Sequence, residues 1–217
     1  MIVHSVNVSL PKQVQHKNKT FTTGIFKQPV TGRIALHQLN LSGDEQADRT
    51  NHGGEHKAVY GFSSDHYAFW QKQLGLPDLP FGKFGENLTI SGLDESRLSI
   101  GDRLRVGDSV LEITQPRVPC FKLGLTFGCD DMPRRFVENA ATGIYFRVIE
   151  TGSIAAGDKV CIAEPHPDQL SVRRLFRAYF DTSLPEHDKT PVLQQALRID
   201  ALSDEWREKL EKRLNQS

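Results

Sequence analysis

Near residue 165 the spacing of apolar residues changes from a strand period to a helix period, so two kinds of architecture must share this chain. Before it, apolar residues alternate in short runs separated by glycine-rich turns. Val6, Val8 and Leu10 alternate. Leu104 and Val106 lead into Gly107-Asp108, from which Leu111 and Ile113 lead away, the pattern of a hairpin. Tyr145 to Glu150 and Lys159 to Ile162 read as further short strands, and Leu39 to Leu41 runs into the turn Ser42-Gly43-Asp44. Two helices interrupt them. One runs from Ser64 to Leu74 and is stopped by Gly75 and Pro77; the other is capped by Asp131, with Pro133 in its first turn. Many short strands with few helices predict a β-barrel, open or closed.

Glu164-Pro165-His166-Pro167-Asp168 can continue neither element and reads as a linker. Beyond it Val172, Leu175, Phe176, Tyr179 and Phe180 form one helical stripe. Thr190 and Pro191 are read as the start of a second helix, and Ser203 as the cap of a third bearing Trp206, Leu210 and Leu214. The expected division is residues 1–164, a mainly β unit, and residues 165–217, a three-helix unit. About fifty residues make a marginal independent fold, so this unit is expected to pack on the β unit or on a second copy as a homodimer.

Composition narrows the partners. Among 217 residues Lys and Arg number 27 and Asp and Glu 27, so no global field draws in nucleic acid or an anionic membrane. Residues 165–217 carry nine basic and nine acidic side chains, which argues against a helix-turn-helix reading. An anionic ligand would need a local basic cluster. Neither a signal-peptide pattern nor a membrane-length apolar run is read, and the three cysteines lack metal-type spacing, so a cytoplasmic protein with reduced thiols is expected.

Three segments carry chemistry. In the first, residues 48–60, Arg49, His52 and Lys57 flank Gly53-Gly54, whose backbone can approach an anion closely; a plain turn entering a strand is the competing reading. The second is Gln115-Pro116-Arg117-Val118-Pro119-Cys120-Phe121-Lys122. Its prolines predict a stiff loop, in which Arg117 and Lys122 favour the thiolate of Cys120; an inert thiol is equally admissible. Cys161, within Val160-Cys161-Ile162, reads as a buried core thiol and Cys129 as incidental. In the third, Phe84 to Thr89, Asn87 could present an amide to a heterocycle or simply cap a turn.

In order along the chain, Asp-Arg-x-x-His-Gly-Gly-x-x-Lys-Ala-Val-Tyr, Gly-Glu-Asn-Leu-Thr, Gly-Asp-x-Leu and Gln-Pro-Arg-x-Pro-Cys resemble the MOSC domain, over roughly Ile2 to Ala163. The trailing helices resemble the 3-alpha unit found beside some of these domains. The resemblance implies a MOSC-type β-barrel that binds the molybdenum cofactor (molybdopterin), a pterin bearing a phosphate and a dithiolene. Cys120 would be the catalytic residue and metal ligand. Arg49, His52, Lys57 and Arg117 would face the phosphate and oxo groups, Gly53 and Gly54 would approach the pterin, and Asn87 would bond its ring. It further implies an oxidoreductase that reduces small N-hydroxylated compounds such as hydroxylaminopurine, served by an electron-transfer partner. A sulfur carrier holding a Cys120 persulfide is the alternative, and a pyridoxal-phosphate enzyme a weaker one. Replacing Arg49 or Arg117 by alanine is expected to cost cofactor and leave folding nearly untouched.

Overall fold

Alternation of apolar and polar residues builds the strands, and the glycine turns between them set the order. The structure, a computed structural model, describes residues 1–47 and 53–216. In chain order it contains β1 (Ile2–Val8), β2 (Lys12–His16), β3 (Lys19–Thr23), β4 (Gln28–Val30), β5 (Ile34–Leu36), β6 (Val59–Ser63), α1 (Tyr67–Leu74) and β7 (Leu88–Ser91). These are followed by β8 (Arg103–Val106), β9 (Ser109–Pro116), α2 (Phe121–Phe127), α3 (Met132–Asn139), β10 (Ile144–Glu150), β11 (Gly152–Ile154) and β12 (Val160–Glu164). The chain ends in α4 (Val172–Phe180), α5 (Glu186–Leu197) and α6 (Asp204–Leu214).

Eight strands form one sheet in the order β12-β8-β9-β10-β6-β7-β1-β4, and β5–β11 and β2–β3 form separate pairs. Neighbours in the large sheet are antiparallel except β6 and β7. A parallel pair needs a crossover, here supplied by α1 and the following loop. Glycine 75, left-handed at φ 64°, ends α1 where the sequence predicts. The hairpin β8–β9 turns at Gly107-Asp108, with Val106 opposite Ser109.

The barrel expected from the sequence is corrected to an open sheet. Around the isolated Ile2–Lys159 bridge, the Val3 N–H donates to Asp158 and the Val160 N–H to Met1, each at 2.9 Å. The sheet therefore curls until β1 meets β12, but no ladder closes it. The far half of the β1 edge is already occupied by β4, which pairs Val6 with Val30 and Val8 with Gln28. Only the first residues of β1 remain available to β12.

The edge position of β12 corrects a second expectation. Only Val160 of this strand is buried; Cys161 is exposed, so it is no core thiol. The helices α4 and α6 start at Ser171 and Ser203, whose side chains accept from Arg174 N and Trp206 N. The helix α5 starts at Glu186, before the expected Thr190, and carries Pro191 inside. Burial of Val192, Leu193 and Ala196 holds it despite the missing N–H. One apolar cluster runs from Val3, Leu104 and Phe146 of the sheet to Leu175, Leu193, Trp206 and Leu210 of the helices. A second, aromatic cluster gathers Tyr60, Phe62, Tyr67, Trp70, Phe84 and Phe136.

Candidate active site around Cys120

Pro116 ends β9, and the chain turns through Arg117 to Pro119 into α2, with Cys120 as its N-cap residue. The sequence reading excluded a helix after the two prolines, but α2 begins at the next residue. Gly124 permits it: a Cβ there would stand 2.8 Å from the Cys129 carbonyl oxygen, so only glycine lets the α2–α3 link fold this closely.

Cys120 lines a cavity of about 110 Å³ together with Lys57, Asn87, Arg117 and Lys122, all singled out from the sequence except as a group. Arg49 and His52 lie outside the described residues. Further lining comes from Thr23, Gly24, Ile25 and Lys27, from Asp44 to Ala47, and from Tyr60 and Tyr145. Apart from Tyr60, which closes the motif at 48–60, none of these carries a sequence signal of its own. Tertiary pairing delivers them, and Asp44 sat in what read as an ordinary turn.

Arg117 is 5% exposed. Its Nη1 donates to the Tyr60 hydroxyl at 3.1 Å and to the Phe84 carbonyl at 2.8 Å. The guanidinium lies 4.7 Å from the Tyr60 ring centroid and 5.6 Å from that of Phe136. Among the described residues no carboxylate pairs with it, and its hydrogen bonds leave from Nη1 alone. Burial opposes its charge, but Tyr60, Tyr145 and Cys120 outweigh burial and its pKa is raised. A permanent cation therefore stands in the cavity wall with Nε and Nη2 available.

The other groups are more committed. Asn87 accepts from the Tyr60 N–H at 3.1 Å and donates to the Asn7 carbonyl and Asp44 Oδ2 at 3.3 and 2.9 Å. Its two amide hydrogens thus hold the wall together in a residue that also lines the cavity. Asp44 also accepts from Lys27, whose pKa burial lowers against the pull of that carboxylate. Gly54, at φ 90°, donates its N–H to Gln46 at 2.8 Å, and Gln46 Nε2 returns to the Lys57 carbonyl at 3.2 Å. In this region Asp44 to Ala47, Lys57 and Ala58 line the cavity, and Gly53 and Gly54 are not among its described lining residues. The neighbouring Glu86 is fully buried, accepts from Tyr67, Gly82, Phe84 and Thr89, and has its pKa raised by burial. It organises the turn under the cavity.

Chemically, this is a thiol on the wall of a small cationic cavity. Among the described residues no three His, Cys, Asp or Glu side chains gather into a metal cage, so a metal held by Cys120 would have to bring most of its own ligands. The donor set fits an anionic, sulfur-chelated metal cofactor. The enclosed volume suits its anionic or metal end better than the whole of it.

Fold and cavity together define a mainly β protein with a thiol on the wall of a lysine- and arginine-lined cavity and an attached helical unit. The chain belongs to the MOSC domain family: the MOSC domain model matches residues 48–161, and the YiiM-like 3-alpha helix domain model matches residues 170–216. MOSC domains are associated in general with molybdenum-cofactor binding. The YflK protein of Bacillus subtilis is 36% identical over 207 residues, spanning 94% of this chain and 90% of that protein. Protein YiiM of Escherichia coli is 35% identical over 136 residues, 62% of this chain and 61% of that protein. A Gibberella moniliformis protein named a reductase is 36% identical over 163 residues, but this chain spans only 29% of its length. The crystal structure of YiiM from Geobacillus stearothermophilus superposes with a TM-score of 0.82 at 30% identity, covering 98% of both chains. Among the described residues no helix is long and apolar enough to cross a membrane.

Proposed function

We propose that this protein binds the molybdenum cofactor with Cys120 as its ligand to molybdenum, and reduces small N-hydroxylated compounds. The observation that carries the reading is Arg117, a buried cation with no carboxylate partner among the described residues, on the same cavity wall as the Cys120 thiol. A buried charge without an ion pair is costly, and an anionic ligand would offset that cost. Membership of the MOSC family and a relative named a reductase support the same direction.

Within this reading Cys120 supplies a soft thiolate, which suits a sulfur-bound metal. Arg117 would donate through Nε and Nη2 to an anionic oxygen, while Lys57 and Lys122 add charge from the cavity lining. Arg49 and His52, and the backbone at Gly53-Gly54, complete the set that the family resemblance implies. The cofactor, when bound, supplies the two-electron redox chemistry that breaking an N–O bond requires. Converting R–NHOH to R–NH2 and water takes up two electrons and two protons, and an electron-transfer partner protein would deliver the electrons. The reduced cytoplasm would keep the Cys120 thiol available.

The test is molybdenum and pterin content of protein made in a cofactor-competent host, alongside turnover of an N-hydroxylated purine with an artificial electron donor. Wild type should carry both and turn over, while Cys120→Ser should lose metal and activity with its fold intact. Full activity in Cys120→Ser removes the assignment. Metal-free protein bearing a persulfide on Cys120 makes it a sulfur carrier.

A further inference from the structure

The helical unit touches the cavity lining through an ion pair. Lys57, a lining residue only 10% exposed in its side chain, forms an ion pair with Glu205 in the first turn of α6. Beside it His56 Nε2 lies 3.7 Å from Asp204 Oδ2. The mounting of α6 fixes this meeting. Ser203 caps the helix, and its own N–H donates to the Thr114 carbonyl of β9 at 3.2 Å. The Thr114 hydroxyl lies 2.6 Å from the His56 carbonyl and 3.0 Å from that of Tyr145, both acceptors on segments that flank the cavity. Trp206, fully buried, anchors the first turn from below. Glu205 therefore sits where the sheet, the loop before β6 and α6 converge.

Glu205 has a second cation. It pairs with Lys209 one turn along α6, and its carboxyl pKa is lowered: burial opposes the charge, but Lys209 and Lys57 outweigh it. Lys57 Nζ also lies 6.0 Å from the centroid of the Tyr145 ring, which faces the same cavity. A carboxylate held at a lining lysine is a rival to any anion that enters. Because Lys209 can keep Glu205 neutralised, the exchange need not leave a bare carboxylate behind.

We infer that Glu205 is a positioning residue of this site: it holds the Lys57 ammonium at the cavity wall as a resident counter-anion and releases it to the anionic group of an incoming ligand, so that the helical unit sets the site's affinity for anions. This rests on the reading of the cavity as an anion site. It makes the C-terminal helices part of the ligand chemistry rather than a packing appendage.

The experiment is calorimetric titration of cofactor-free protein with inorganic phosphate, for wild type, E205Q, K57M, R117M and the K57M/E205Q double variant. E205Q should bind phosphate roughly three- to tenfold more tightly, the effect of removing one partly screened charge at close range. The gain should vanish in the K57M background, and E205D should stay near wild type. Unchanged or weakened binding in E205Q, or a gain that persists without Lys57, overturns the inference while R117M still reports the anion site. Equal binding in wild type, K57M and R117M overturns the anion site and this inference with it. Trp206 fluorescence reports whether α6 stays docked. Should E205Q loosen it, Lys209→Met serves instead: with its alternative partner gone, Glu205 should hold Lys57 harder and phosphate should bind about two- to fivefold more weakly. No change in that variant counts equally against the proposal.

Discussion

Replacing Arg117 by methionine should separate the cost of the site from its use. Methionine follows the path of the arginine stem but removes the guanidinium. The Tyr60 hydroxyl still donates to the Thr142 carbonyl at 2.8 Å, so only the Phe84 carbonyl loses a described partner. Hydrogen bonds to a charged donor contribute about 1.5–3 kcal/mol. Against this, the variant no longer buries a cation that has no carboxylate partner among the described residues, a relief of the same order, since even paired buried charges are often replaced by apolar groups without loss. The net change should fall within about 2 kcal/mol of zero, a Tm shift of less than about 8 °C for a chain of this size. Anion binding has no such compensation. Losing one charge-assisted contact of about 1.5–3 kcal/mol weakens phosphate roughly ten- to a hundredfold. Thermal unfolding beside phosphate calorimetry reads both numbers. A Tm drop beyond about 15 °C with phosphate affinity intact would show that Arg117 is a structural residue. Alanine is the wrong probe, contrary to the expectation from sequence that it would spare the fold. At 5% exposure it would open a cavity against Tyr60 and Phe136 and cost about 2–4 kcal/mol.

The other cysteines provide controls for Cys120. Cys161→Ala, at an exposed edge, should change stability by no more than about 0.5 kcal/mol, and Cys129→Ser should keep molybdenum and turnover; metal loss from Cys129→Ser alone would mean the wrong thiol was chosen. Glu86→Gln should cost about 1–3 kcal/mol, because an amide cannot accept from Gly82, Phe84, Tyr67 and Thr89 together. The folded-state pKa of Glu86 is raised, so its contribution is complete below the unfolded carboxyl pKa and is lost as pH rises through the folded value. Wild-type stability should therefore carry a downward slope above about pH 4.3 that denaturant titration of Glu86→Gln lacks. Ser203→Ala should lower stability by about 0.5–2 kcal/mol through loss of the cap on Trp206 N, measured by urea unfolding.

Local signals were legible where one element decides its own shape. Gly107-Asp108 between Val106 and Ser109 set a hairpin, Gly75 ended α1, and Ser203 started α6. Elements that depend on their neighbours were not. The hairpin β2–β3 turns on Lys17 and Asn18, both at positive φ, with no glycine to announce it. The helix α2 contains Gly124 and follows Pro119, so propensity argued against it. The openness of the sheet depends on β4 reaching the β1 edge, a pairing no local pattern encodes. At the site, Cys120, Arg117 and Lys57 could be named because each lies in a dense motif. Lys27, Asp44, Gln46 and Tyr145 could not, since their importance arises only when distant segments converge.

Arg117 is also the place where sequence-level rules and structure disagree most, and the disagreement has a direction. A cation 5% exposed, without a carboxylate partner among the described residues, is a local conflict that a sequence selected for stability alone would remove. The packing around it is built to keep that conflict in place. The guanidinium lies against the Tyr60 and Phe136 rings, and Phe84, whose carbonyl accepts from it, stacks on Phe136 with centroids 5.7 Å apart. The same aromatic cluster includes Phe62 and Trp70, both almost fully buried, so the arginine cannot relax outward without dismantling it. Lys57, also in the cavity lining, is held by Glu205, a partner that can be exchanged. A fixed cation with no carboxylate partner among the described residues and a lysine with a displaceable partner make different contributions to one task. The first creates the demand for an anion, and the second lets the protein remain nearly neutral there until the anion arrives.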